Sequence, residues 1–251
     1  MKVNDTSDIQ KLIKSHVGLE EKQVEDVFEQ TYRRYKPPRV KDTRWYRYPN
    51  LCSEDSFGNV WNYNEVGYRS DSFEGDKDGF LFLGCSMTEG YGLEEYETWP
   101  WIVGKHFDTS VWNVAHSGEG DDVCLIYALK WIPELKPKVV CMLIPPVGRF
   151  KFFDQPNKMK TEYYSYRWKE AKKLPDYEFL FTDKYQYMST LKNVLSISHL
   201  CNDFNIPFIC ESWRLAKDKF PNDKADDGAH MGVEWQQSLA EQFIDDIEKC
   251  I

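Results

Sequence analysis

The stretch Phe80-Leu81-Phe82-Leu83-Gly84-Cys85-Ser86-Met87-Thr88-Glu89-Gly90 decides how the rest of the chain is read. Four apolar residues run into a glycine, then small and polar side chains, then a second glycine. A continuous apolar run closed by glycine suits a strand buried on both faces, as in a parallel sheet. Small residues at Gly84, Cys85 and Ser86 allow the sharp turn that must follow. Ser86 then stands at the carboxyl end of a central strand, where open α/β sheets place their ligands. That is a suitable address for a nucleophile.

Working downstream, residues 98–107 read as a helix, with Thr98 as N-cap and Pro100 near its start. A short strand over 111–115 leads into the loop His116-Ser117-Gly118-Glu119-Gly120. Residues 121–135 read as a helix with Asp121 and Asp122 near its positive end. An apolar strand over 139–144 is stopped by Pro145-Pro146. After an aromatic insertion over 147–182 come a helix (184–204), a strand (206–210), a loop (211–232) and a closing helix from 233 to about 247. Strands alternating with helices predict a three-layer α/β/α fold around a parallel central sheet, of the flavodoxin-like kind. Upstream, residues 60–69 read as a strand ending in a turn, and residues 39–60 are aromatic and irregular. Residues 1–36 read as a polar helix closed by Pro37-Pro38. The expected organisation is an N-terminal helical and irregular extension (1–59) followed by one α/β domain (60–251).

Composition bounds the partners. The chain has 251 residues, 41% hydrophobic and 29% charged, a globular profile. A net charge of -9 argues against a nucleic-acid partner, since phosphate binding needs a basic surface. No apolar run approaches the ~20 residues of a membrane span, and the polar Met1-Lys2-Val3-Asn4-Asp5 lacks the core of a signal peptide. Seven cysteines without a CxxC pair read as buried free thiols in a reducing compartment, so the expected location is cytoplasmic. His16, His106 and His199 form no ligand pattern with cysteines or carboxylates, so neither a metal nor another cofactor is expected.

A serine nucleophile is weak until a histidine takes its proton, and that histidine needs a carboxylate to fix its tautomer. Asp226-Asp227-Gly228-Ala229-His230-Met231-Gly232, just before the last helix, supplies both from one loop. The plainer alternative is that Asp227 caps a turn and His230 lies on the surface. A reacting carbonyl also needs donors aimed at its oxygen. The Ser86 and Gly118 N–H groups are candidates; otherwise Gly118 and Gly120 belong to an ordinary strand-to-helix loop.

In order, Gly84-Cys85-Ser86-Met87-Thr88-Glu89-Gly90, Asn113-Val114-Ala115-His116-Ser117-Gly118 and Asp227-Gly228-Ala229-His230 resemble the blocks of the SGNH/GDSL hydrolases. Asn64-Glu65-Val66-Gly67-Tyr68-Arg69 and Glu97-Thr98-Trp99-Pro100 are similar to flanking motifs of some members. The resemblance covers about residues 60–250. It implies Ser86 as nucleophile and oxyanion donor, Gly118 as donor, His230 as base and Asp227 as its orienter.

The sequence departs from that pattern twice. Cys85 stands where the family usually has Asp; it reads as a small buried thiol, with a Cys85–His230 pair as the alternative. The family's third-block Asn is absent from Pro145-Pro146-Val147-Gly148-Arg149-Phe150. Losing such a donor costs roughly 100- to 1000-fold in rate. Arg149 offers a replacement, against the alternative of a surface ion pair. Cys85, His116 and Trp213 are candidate pocket residues, and the rings between Phe150 and Tyr187 either roof the pocket or form a local core. The resemblance implies a serine esterase acting on an O-acyl group, with O-acetyl on a carbohydrate as the expected substrate. The rival is a non-catalytic member, a binding or structural protein, since Gly-Cys-Ser-x-Thr with Pro-Pro-x-x-Arg also resembles a subgroup from phage and marine microbial genomes. The partner expected is a small-molecule or glycan ester.

Overall fold

The computed structural model describes residues 52–55, 57–74, 78–146, 149, 152–155, 158–160, 183–212 and 220–251. The expected helix over 1–36 and most of the aromatic insertion lie outside the described residues.

Strand β1 (Cys52–Glu54) pairs antiparallel with β2 (Val60–Asn62). Beyond β2 the chain does not continue as a strand to residue 69. The Asn64 carboxamide oxygen accepts the N–H groups of Val66, Gly67 and Tyr68, and that turn ends the extended run. Then come β3 (Gly79–Leu83), a four-residue helix α1 (Ser86–Glu89), a 3-10 turn (Glu95–Glu97) and α2 (Trp99–His106). They are followed by β4 (Ser110–Asn113), α3 (Asp121–Leu135), β5 (Val139–Ile144), a hairpin of β6 (Phe152–Gln155) and β7 (Lys158–Lys160), α4 (Asp183–Asp203), β8 (Phe208–Ser212) and α5 (Val233–Glu248).

The central sheet runs β4-β3-β5-β8, every pair parallel. Side chains alternate across it, as strand geometry requires. Leu81, Leu83, Val140 and Met142 pack with α3 and α4 on one face. Phe80, Phe82, Val139, Cys141 and Leu143 pack with α2 and α5 on the other. Apolar side chains cover both faces, which is why β3 shows no polar alternation. The fold is therefore the three-layer α/β/α arrangement, with Ser86 at the carboxyl end of an inner strand.

The last strand starts two residues later than the apolar pattern suggests. Ile206 is used to close α4, its N–H donating to the Cys201 carbonyl after Asn205 takes a left-handed φ of 56°. Pro207 follows, and its carbonyl accepts from Val140. Among the described residues no helix is long and apolar enough to cross a membrane.

Candidate active site

The turn after β3 explains its small residues. A Cβ on Gly84 would sit 2.1 Å from the Thr88 hydroxyl, because α1 folds back over the strand end. Gly90 closes α1 in the left-handed region, φ 83°, and its N–H donates to the Ser86 carbonyl. A Cβ there would also press within 2.2 Å of the Thr98 methyl.

A four-residue helix has little stability of its own, and its last carbonyls lack partners within it. Here side chains from three other elements supply them. Gln236 of α5 donates to the Met87 carbonyl and accepts the Trp99 N–H. Asn113, at the end of β4, donates to the Thr88 carbonyl at 2.8 Å. Arg69 donates to the carbonyls of Glu89, Gly90, Leu93 and Val60 and lies over the Trp61 ring. Burial pushes the Arg69 guanidinium below its usual value, against the pull of Glu95 and Glu89.

Against this anchored turn sits the loop before α5. Its Asp226 N–H donates to the Gly92 carbonyl at 3.0 Å, and Asn59 donates to the Asp226 carboxylate. Asp223 caps α5 by accepting the Trp235 N–H at 2.7 Å. Gly228, φ 68°, turns the chain so that Asp227 and His230 meet. Asp227 Oδ1 accepts the backbone N–H groups of Ala229 and His230, both at 2.9 Å. Its Oδ2 lies 2.5 Å from His230 Nδ1, and His230 Nε2 lies 2.8 Å from Ser86 Oγ. The carboxylate accepts only, so the Nδ1 proton faces it and Nε2 is left to receive the serine proton. Partial burial acts to raise the Asp227 pKa, but the His230 and Ala229 hydrogen bonds outweigh it and hold the carboxyl below its usual range. The Tyr91 ring stands 5.3 Å from the imidazole.

The β4–α3 loop forms the other side. Gly118 has φ 82°, a conformation that suits glycine. The Glu119 N–H donates to the His116 carbonyl across this turn. The N–H and hydroxyl of Ser117 both donate to Glu89 Oε2, at 2.6 and 2.5 Å. His116 is half-buried, with Nδ1 3.5 Å from Glu89 Oε1. Arg149 reaches the same loop, since a Cβ on Gly120 would approach its carbonyl oxygen to 2.2 Å. Its Nη1 is buried and has no hydrogen-bond partner among the described residues.

Cys85 is fully buried in the core cluster with Phe82, Met87 and Trp99. That is a packing position, which leaves the expected pocket role without a surface to act through. Trp213 lies outside the described residues. Burial pushes the Cys124 and Cys141 thiols well up and those of Cys201 and Cys210 to about 12, which keeps them protonated and poorly nucleophilic. Sequence reasoning missed Arg69, Glu89, Asn113 and Gln236 as parts of the site. The first three stand inside the quoted blocks, which is the signal that could have found them; nothing distinguishes Gln236.

No family model matches the sequence, and neither does any curated protein. Among solved structures the chain is similar to the psychrotrophic esterase EstA from Pseudoalteromonas sp., inhibited by monoethylphosphonate, at 16% identity, 68% of this chain, 97% of that one and a TM-score of 0.41. It is also similar to a GDSL-like lipase from Bacteroides thetaiotaomicron VPI-5482, at 15% identity, 69% of this chain, 89% of that one and a TM-score of 0.35.

Proposed function

We propose that the chain is a serine ester hydrolase of the SGNH/GDSL type. The observation that carries this reading is the hydrogen-bonded series Ser86 Oγ, His230 Nε2, His230 Nδ1, Asp227 Oδ2. A nucleophile, a base and an orienter joined in this way suit acyl transfer. Ser86 Oγ attacks the acyl carbonyl as His230 takes its proton. The Ser86 and Gly118 N–H groups and the Arg149 guanidinium bear the oxygen's developing charge. His230 returns the proton to the departing alcohol, leaving an acyl-serine. Water, deprotonated by the same imidazole, then releases the acid and restores the serine.

The acyl group we assign is acetyl, and the alcohol a carbohydrate hydroxyl. This rests on the resemblance of the sequence blocks and on a half-buried tyrosine, Tyr91, beside the imidazole, where a ring with a polar edge suits a sugar. The test is p-nitrophenyl acetate turnover together with labelling by an organophosphonate. Wild-type protein should turn over and take one label, and Ser86→Ala should do neither. Folded wild-type protein that does neither refutes the hydrolase and favours a binding role.

A further inference from the structure

Glu89 is a carboxylate that this mechanism leaves unused. It is 3% exposed and lies in the same four-residue helix as Ser86. A buried carboxylate is tolerated only with charge or hydrogen bonds to compensate it. Here Oε2 takes both donors of Ser117, the backbone N–H and the hydroxyl. Arg69 lies behind it, close enough to feel its charge and bonded to its backbone carbonyl.

The peptide following Ser117 carries the Gly118 N–H. Glu89 holds that peptide's leading residue at two atoms. The Glu119-to-His116 hydrogen bond closes the turn on the other side, and Gly118 takes its left-handed conformation between them. Because Glu89 and Ser86 share one short helix, the nucleophile and the candidate donor are tied through a single side chain. We propose that Glu89 is a positioning residue, whose carboxylate grips Ser117 and so fixes the aim of the Gly118 N–H at the oxygen of the reacting carbonyl. The inference rests on the hydrolase reading above and on Gly118 as a donor.

Glutamate suits this task for a physical reason. Hydrogen bonds to a charged acceptor are roughly twice as strong as neutral ones. An amide in its place keeps the shape and loses that strength. A correctly placed oxyanion donor is worth roughly 100- to 1000-fold in rate, so a loosened one should forfeit a substantial part of it.

The test is Glu89→Gln in the full chain, with kcat and KM for p-nitrophenyl acetate, the rate of phosphonate labelling and the thermal midpoint. Expected are a kcat at least about tenfold lower, a KM within about twofold of wild type and a labelling rate that falls in step with kcat. A purely structural role would lower the midpoint without this selective loss. Ser117→Ala, which removes only the hydroxyl bond, should lower kcat several-fold, and it decides the matter if the Gln variant does not fold. Unchanged kcat in the folded variant overturns the proposal. An inactive, unlabelled wild type overturns the hydrolase reading instead, a separate result.

Discussion

Replacing Arg69 with Met keeps the length of the stem and removes every donor. The structure allows the loss to be worked out. Two of its hydrogen bonds are short, to the Gly90 carbonyl at 2.7 Å and to Leu93 at 2.8 Å, and two are long, to Glu89 at 3.2 Å and Val60 at 3.3 Å. Taking about 1.5 kcal/mol for each short bond from a charged donor gives about 3 kcal/mol, with little from the long ones. The guanidinium 4.2 Å from the Trp61 centroid adds about 1 kcal/mol. A loss of about 4 kcal/mol is within the range for removing one partner of a buried charge cluster, and it is a large part of the 5–15 kcal/mol typical of a domain. Arg69→Lys should recover less than half, because an ammonium cannot span carbonyls on two sides as the planar fork does. Urea unfolding followed by tryptophan fluorescence reads both. Two variants within about 0.5 kcal/mol of wild type would show that Arg69 does not anchor the turn.

Asp227→Asn should reduce ester turnover by about 10⁴-fold, because the Nδ1 proton loses the acceptor that selects its tautomer; steady-state kinetics checks this. Asp227 also shapes acid stability. Its folded pKa is depressed, so its contribution is complete above the unfolded carboxylate value of about 3.9 and is lost as pH falls through the lower folded value. The urea midpoint of the Asn variant, followed from roughly pH 6 to 2, should therefore fall less steeply at the acid end than that of wild type. Gly84→Ala forces a methyl against the Thr88 side chain and to 3.3 Å from the Leu143 carbonyl, which should destabilise by roughly 1–3 kcal/mol. If the Ala variant unfolds at the wild-type urea concentration, the packing argument for that glycine fails.

The layers were legible because burial on both faces writes a continuous apolar run. Phe80 to Leu83 and Val139 to Ile144 are such runs, and glycines and prolines mark their ends. Strand ends were less legible, since Ile206 is equally apolar whether it begins a strand or closes a helix. Of the candidate site, Ser86, Asp227 and His230 could be named because Ser86 follows a predicted strand, Asp227 and His230 share the loop before the last helix, and the blocks that hold them resemble those of the SGNH/GDSL hydrolases. Their proximity could not be read, since it depends on how the Asp226 N–H docks on Gly92, a backbone contact with no side-chain signature. Cys85 showed the reverse problem. Its place in the motif made it a pocket candidate, while its side chain read as a small buried thiol, and it is the second reading that the core position matches.

The least legible part is what holds Ser86 still. The carbonyls of Met87, Thr88, Glu89 and Gly90 are taken by Gln236, Asn113 and Arg69, side chains that arrive from the last helix, the edge strand and the segment before β3. Apolar packing alone would fix the depth of α1 but not its rotation, because dispersion contacts are non-directional. Hydrogen bonds at about 3 Å tolerate little angular change. A rotation of this helix by one residue would carry the serine hydroxyl away from the imidazole and break each of these bonds. Directional polar groups buried at the end of a sheet are thus what turns a packed scaffold into a site of defined geometry. A lone glutamine in an amphipathic helix, or an asparagine at a strand end, gives no sign in sequence that its partner is a carbonyl 149 or 25 residues away.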